Sequence, residues 1–163
     1  MWGLVVKSGA ITVFRGINLI QLDAKGRLTM PTRYRARIEA IAQHQLILTI
    51  DPETHCLLLY PLPEWEAIEQ KIQALPSFHK AARRIQRLLI GHATEIELDG
   101  NGRFLLPPLL RDYAQLDKQV MLVGQGKKFE IWREENWNVG RDQWLSEENA
   151  EKDLPPELES FSL

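Results

Sequence analysis

The 163-residue chain carries one sequence pattern twice. The segment IQLDAKGRLTMP at 20–31 returns as IELDGNGRFLLP at 96–107, which aligns Asp23 with Asp99 and Arg27 with Arg103 at an offset of 76 residues. Further apolar matches follow at offsets of 74 and 72, so the missing residues fall in expected loops. Self-similarity of this kind predicts two copies of one structural unit, which we place at 14–75 and 92–146.

Each half is expected to begin with two short strands joined by a tight turn. Residues 17–22 alternate in polarity as a half-buried strand does, and 27–30 form the returning strand of a β-hairpin. Gly26 supplies the positive φ that the turn needs. Pro31 suits the start of a helix over 33–41. The remaining predictions are strands at 45–50, 56–60, 94–98, 103–106, 119–123 and 129–132, and helices at 63–74, from 108 and at 134–145.

Residues 76–91 connect the halves and predict one helix, with Ser77 as its N-cap and Gly91 as its stop. An apolar stripe at helical spacing should face the protein; its members are Phe78, Ala81, Ala82, Ile85, Leu88 and Leu89. The opposite face is basic. We expect it to be solvated, with phosphate contact as the alternative.

Charge is distributed unevenly along the chain, whose net charge is −2. Residues 134–163 hold nine acidic and two basic side chains, a net −7, which leaves +5 on the rest. A cationic body with an acidic tail at 147–163 is typical of a protein that binds a polyanion; a neutral globule with a solvated tail is the alternative.

No apolar run approaches the ~18 residues of a membrane span. The opening residues also lack the apolar core of a signal peptide, so we expect a cytoplasmic protein.

Other candidate sites are weak. The single cysteine, Cys56, cannot form an intrachain disulfide, and its neighbour His55 suggests a nucleophile pair only by adjacency. Gly124-Gln125-Gly126 lies between two predicted strands, where a turn is expected rather than a nucleotide loop. We therefore expect no cofactor, no metal and no enzymatic activity, since no coherent catalytic constellation is present.

Taken together, the motifs FRG at 14–16, LDAKGRL at 22–28 with Pro31, and DGNGR at 99–103 resemble the MraZ family, bacterial regulators encoded at the head of the division and cell-wall gene cluster. The segments 58–65 and 87–93 are also similar to that family. The resemblance extends from Phe14 to the end of the last helix, and the duplicated Asp-x-x-x-Arg is its signature.

The resemblance implies an α+β fold: two tandem AbrB-like swapped-hairpin repeats within one chain, with connecting helices. It also implies a homo-oligomeric ring that binds double-stranded DNA at short direct repeats in its own promoter, as a transcriptional regulator associated with the nucleoid. The alternative is an antitoxin-like protein that binds a protein partner, because AbrB-like hairpins also occur in antitoxins.

Two positions depart from the family pattern. Val13 stands where the family begins with Met, and a GTG start codon read internally would be written as valine, so we expect 1–13 to be an N-terminal extension or mis-start. Asn101 replaces the cation that Lys25 supplies in the first copy. The two loops are therefore expected to contribute unequally to binding.

The chemistry of the two motifs suits DNA recognition. Arg27 and Arg103 follow the turns, where a guanidinium can bond guanine O6 and N7. Asp23 and Asp99 are expected to orient them, and Lys25 to contact phosphate. Three further arginines should position the protein on the DNA backbone: Arg15, Arg33 and Arg35. The alternative is that the Asp–Arg pairs only staple the hairpins.

Overall fold

The computed structural model describes residues 13–147 and 155–159. The expected extension at 1–13, apart from Val13, and most of the acidic tail lie outside the described residues. The strands are β1 (Phe14–Gln21), β2 (Arg27–Thr29), β3 (Gln45–Ile50), β4 (Leu57–Pro61), β5 (Thr94–Glu97), β6 (Arg103–Leu105), β7 (Gln119–Gly126) and β8 (Phe129–Arg133). The helices are α1 (Thr32–Ala42), α2 (Leu62–Gln73), α3 (Lys80–Ile85), α4 (Pro108–Tyr113), α5 (Glu134–Ser146) and α6 (Pro156–Glu159). None of these helices is long and apolar enough to cross a membrane.

Six strands form one antiparallel sheet that both repeats share. Its order is β1-β7-β8-β4-β3-β5. In the repeat alignment β1 corresponds to β5, β3 to β7 and β4 to β8. Exchanging the two repeats therefore gives the same strand order, read from the opposite edge of the sheet. The first strand of each repeat thus pairs with the third strand of the other, Phe14–Gln21 against Gln119–Gly126 and Thr94–Glu97 against Gln45–Leu48. The predicted α+β duplication is confirmed, with its strands swapped between the copies.

The second strands of the two repeats form a separate two-stranded ribbon. Strand β2 pairs with β6, with Arg27 opposite Leu105, Leu28 opposite Phe104 and Thr29 opposite Arg103. The ribbon is extended at both ends, where Met30 N–H donates to the Gly102 carbonyl (2.8 Å) and Leu106 N–H to the Gly26 carbonyl (2.9 Å).

The prediction of a β-hairpin ladder within each half was therefore wrong. The turn closes with two backbone bonds, from Asp23 N–H to the Arg27 carbonyl (3.0 Å) and from Gly26 N–H to the Asp23 carbonyl (3.0 Å). Beyond the turn, β1 and β2 diverge into different sheets. The ladder partners of β1 and β2 are β7 and β6, from the other repeat.

One hydrophobic core draws on both repeats. Leu28 and Phe104 lie on its ribbon side, and alternate residues of β3, β4, β7 and β8 lie on its sheet side. Seven large apolar side chains of the strands and helices are buried within the chain: Leu57, Leu59, Trp65, Phe129, Ile131, Trp132 and Trp137.

The helix between the repeats begins later than predicted. His79, not Ser77, is its N-cap, and α3 continues through a π-helical turn over Gln86–Ile90. Gly91 has a right-handed φ of −61°, so it is not a left-handed stop. Ala82 is buried as the stripe predicts, but Ala81, also assigned to the stripe, is exposed. Phe78 is 78% exposed because it precedes the helix.

The shared core predicts that the repeats unfold together. Replacing Phe104 with alanine should lower the free energy of unfolding by about 3–5 kcal/mol, since it empties a site at the centre of the joint core. Denaturant unfolding at fixed protein concentration, followed by circular dichroism and tryptophan fluorescence, should show one displaced transition.

The matched control is Leu105→Ala, the next residue of β6, which is 54% exposed. It should change the free energy of unfolding by no more than about 0.5 kcal/mol. Two separate transitions in the Phe104 variant would contradict a core shared by both repeats.

Candidate functional site

The turn at 23–26 is built around the carboxylate of Asp23. Its Oδ1 accepts hydrogen bonds from the backbone N–H groups of Lys25 (2.9 Å) and Arg27 (2.8 Å), and its Oδ2 accepts one from Arg27 Nε (2.8 Å). Gly26 lies at φ +82°, in the left-handed region that glycine tolerates. One carboxylate thus fixes both the backbone of the turn and the direction of the arginine side chain.

The second turn repeats this geometry closely. Asp99 Oδ1 accepts from the N–H groups of Asn101 (2.9 Å) and Arg103 (2.8 Å), and Oδ2 from Arg103 Nε (3.0 Å). Gly102 has φ +76°. The predicted orientation of each arginine by the aspartate four residues earlier is confirmed at both turns.

These bonds favour the charged form of each carboxylate. The pKa of Asp23 is lowered chiefly by the backbone N–H of Arg27, with the guanidinium and the N–H of Lys25 adding to the effect against partial burial. The pKa of Asp99 is lowered for the same main reason, by the N–H of Arg103. Both aspartates are therefore ionised at neutral pH.

Both arginines lie on the same outward face of the β2–β6 ribbon. Arg27 is paired with Leu105, so these two side chains lie on the same face of the ribbon. Arg103 is two residues before Leu105 on the same strand, and alternate residues of a strand share a face. Such diagonal positions lie about 7–8 Å apart. The side chains of Arg27 and Arg103 are 28% and 35% exposed, whereas Leu28 and Phe104 on the other face are buried. The ribbon therefore presents two guanidinium groups together to solvent.

Two further residues complete this outward face and were not identified from the sequence. Thr29 lies opposite Arg103, and Leu105 opposite Arg27. Both are exposed. Their position between the arginines depends on the pairing of β2 with β6, which the local sequence pattern does not reveal.

The surrounding arginines are placed differently from one another. Arg15 is exposed on β1. Arg33 is also exposed, and its Nη2 donates to Asn18 Oδ1 (2.6 Å) while its guanidinium lies 4.8 Å from the Tyr34 ring centroid. Arg35 is half-buried, with Nε donating to the Met30 carbonyl (2.8 Å). The Arg35 side chain is therefore held against the protein surface and does not extend into solvent.

The tips of the turns differ in charge, as the sequence predicts. Lys25 is exposed at the first tip, and the uncharged Asn101 is exposed at the second. The first turn therefore offers one more cation to a polyanion than the second.

The pair His55–Cys56 does not form a nucleophilic site. Cys56 is fully buried, and burial raises the pKa of its thiol to about 12, so the thiol stays protonated. The His55 Nδ1 bonds with the Tyr113 carbonyl (3.1 Å). The ligand atoms of Cys56, Asp51 and Glu130 lie within 4.8 Å of one another.

Comparison with known proteins agrees with the motifs. A sequence model of the MraZ family, described as "MraZ protein, putative antitoxin-like", matches residues 13–88 and again 89–154. A protein of Coxiella burnetii named "Transcriptional regulator MraZ" is 60% identical over 152 residues, covering 93% of this chain and 100% of that protein. Proteins with the same name from Legionella pneumophila and Thioalkalivibrio sulfidiphilus are 57% and 54% identical, again over 93% of this chain and 100% of each relative.

The lowered pKa values of Asp23 and Asp99 predict that the stability of the fold decreases at acidic pH. Stability that the ionised aspartates contribute is fully present above the ordinary aspartate pKa of about 3.9 and is lost as pH falls through the lower folded-state values. In a carboxyl-carbon NMR titration, Asp23 and Asp99 should titrate below the ordinary aspartate pKa of about 3.9. Arg27→Ala should raise the pKa of Asp23 only partway, because the backbone donors remain. Titration of Asp23 at an ordinary pKa in the unaltered protein would contradict the turn geometry.

Proposed function

Since the chain belongs to the MraZ family of transcriptional regulators, we propose that it binds DNA sequence-specifically through the outward face of the β2–β6 ribbon. The observation that carries this proposal is the placement of Arg27 and Arg103 on one exposed face, each held by an aspartate through Nε.

A two-stranded ribbon fits the major groove, which is about 12 Å wide. Each Arg Nε is engaged by an aspartate, and in the described part of the chain no bond occupies the terminal amino groups. Those groups can donate to guanine O6 and N7. Arg27 and Arg103 thus each read a guanine from the same face of the ribbon.

The residues around the arginines have supporting roles. Leu105 and Thr29, on the same face, offer methyl groups that suit the thymine methyl. Lys25 contacts phosphate as a compact charge, and Arg15 and Arg33 add cations that position the ribbon on the backbone. Asp23 and Asp99 pre-order the guanidinium groups, which lowers the entropy lost on binding.

Repeated binding sites would strengthen recognition. One ribbon offers contacts of about 1–3 kcal/mol for each base pair that it reads, which discriminates weakly. A ring of several copies bound to short direct repeats gains through effective concentration. Apolar side chains suited to contacts between copies are exposed on β1, where Ile17 and Leu19 are each 55% exposed.

Family membership supports the rest of the biological setting. We place the DNA target in this protein's own promoter, at the head of the division and cell-wall gene cluster, and the protein in the cytoplasm at the nucleoid. The same membership supports a regulator rather than an enzyme, in keeping with the buried, protonated Cys56 thiol.

A second candidate function is that of an antitoxin-like protein that binds a protein partner. The matching family description, "putative antitoxin-like", favours it. Affinity capture with the full chain, with and without promoter duplex, separates the two: a single stoichiometric protein partner that DNA does not displace would support the antitoxin function.

The DNA-binding proposal predicts distinct effects for the loop residues. Fluorescence anisotropy should be measured with duplex from upstream of this gene and with a shuffled duplex, over a series of salt concentrations. Arg27→Ala or Arg103→Ala should weaken binding to the native duplex by about 1–3 kcal/mol and relax its preference for guanine.

Two lysine variants separate phosphate contact from base recognition, one as a test and one as a control. Lys25→Ala should weaken binding to both duplexes alike and reduce the salt slope by about 0.9. Lys71→Ala removes the same charge from an exposed position on α2, a helix to which no DNA contact is assigned, and should leave both quantities unchanged. Arginine variants that bind like the unaltered protein at matched salt would rule out recognition by the ribbon.

A further inference from the structure

Two arginines outside the motifs occupy equivalent positions in the repeats. Arg35 in α1 and Arg111 in α4 are separated by 76 residues, the offset that relates Asp23 to Asp99. Both are half-buried. Arg111 was not singled out by any sequence motif, and Arg35 was expected to contact the DNA backbone.

Each of these side chains lies against the turn glycine of the opposite repeat. A β-carbon added to Gly102 would overlap the guanidinium of Arg35, from the first repeat. A β-carbon added to Gly26 would lie 3.0 Å from Cζ and 3.1 Å from Nη1 of Arg111, from the second repeat. The two contacts are thus reciprocal, and the absence of a side chain at each glycine makes room for them.

The Arg35 contact is part of a bonded chain between repeats. Arg35 Nε donates to the Met30 carbonyl (2.8 Å), and Met30 N–H donates to the Gly102 carbonyl (2.8 Å). At the other turn, Leu106 N–H donates to the Gly26 carbonyl (2.9 Å), while Arg111 Nε is buried and has no hydrogen-bond partner among the described residues. Arg35 is therefore fixed by a bond and by packing, and Arg111 by packing.

The surroundings of both arginines argue against a phosphate site. Each lines a cleft beside a motif aspartate, Arg35 with Asp99 and Arg111 with Asp23. A phosphate entering either cleft would meet an ionised carboxylate, whose charge is needed to orient Arg103 or Arg27. Both arginine side chains therefore contact the backbone of a turn at its glycine, and we do not assign them to DNA.

We propose that Arg35 and Arg111 are positioning residues that hold each recognition turn from the opposite repeat. Arg35 holds the turn that carries Arg103, and Arg111 holds the turn that carries Arg27. The consequence for DNA recognition rests on the proposed function, whereas the support of the turns does not.

The support itself can be tested without DNA. Full-length, deuterated protein labelled with ¹⁵N-glycine gives a sparse TROSY spectrum, and ¹³C-carbonyl labelling of lysine or asparagine assigns Gly26 and Gly102, because Lys-Gly and Asn-Gly each occur once in the chain. Arg35→Ala should shift the Gly102 amide and spare Gly26. Arg111→Ala should shift Gly26 and spare Gly102.

The control for the spectra is Arg37→Ala, which removes another α1 arginine whose Nη1 donates to the Val13 carbonyl. It should move neither glycine amide. If the alanine variants do not fold, Arg35→Lys and Arg111→Lys test the same pattern, because an ammonium group lacks the planar surface that packs on the turn. A shift confined to the glycine of the variant's own repeat, or no shift at either glycine, would overturn the proposal.

DNA binding then separates positioning from phosphate contact. Arg35→Ala should reduce the affinity ratio between native and shuffled duplex by about fivefold or more, the low end of one arginine–guanine contact, with the salt slope unchanged. Arg35→Lys, which keeps the charge, should not restore the ratio. A uniform loss with a salt slope smaller by about 0.9, restored by lysine, would instead make Arg35 a phosphate contact and overturn its positioning role. Failure of the unaltered protein to discriminate the duplexes would refute the proposed function, while the glycine spectra would still decide the support of the turns.

Discussion

The pairing of β2 with β6 is the interaction on which the rest of the architecture depends. It joins the second strands of two repeats, places Leu28 and Phe104 in a common core, and puts Arg27 and Arg103 on one outward face. The exchange of β1 and β5 between the repeats follows the same symmetry in the larger sheet. Neither repeat completes the core by itself, because four of the six ladders (β1–β7, β2–β6, β3–β5 and β4–β8) join strands of opposite repeats.

The Asp–Arg pairs are better understood as orienting devices than as sources of stability. Solvent screens exposed ion pairs, so they contribute little to stability, and all four side chains here are between 28% and 43% exposed. Each aspartate nevertheless accepts two backbone N–H groups as well as Nε, which fixes the turn and the arginine by the same group. The alternative that the pairs only staple hairpins fits poorly with a ribbon whose ladder runs between repeats.

Much of this arrangement could be predicted from the sequence. The repeat, the strand at 45–50, the positive φ of Gly26 and the bond from Asp23 to Arg27 all follow from local patterns, because turn chemistry and residue spacing act over a few residues. The partner of β2 could not be predicted that way: two equivalent strands carry the same pattern, so local propensity does not decide between pairing within a repeat and pairing across repeats. Arg35 and Arg111 were obscured for a related reason. Their spacing is that of ordinary helix-surface cations, and only the exchange of strands brings them to the opposite glycines.

The most direct measurement of the central claim, that two arginines on one shared ribbon read guanine edges, is methylation interference at guanine N7 on the promoter duplex. Methylation blocks the acceptor that a bidentate arginine requires in the major groove. The account predicts interference at two distinct guanine positions of the site, one of which becomes insensitive in Arg27→Ala and the other in Arg103→Ala. Tight, specific binding that no guanine N7 methylation disturbs would contradict it.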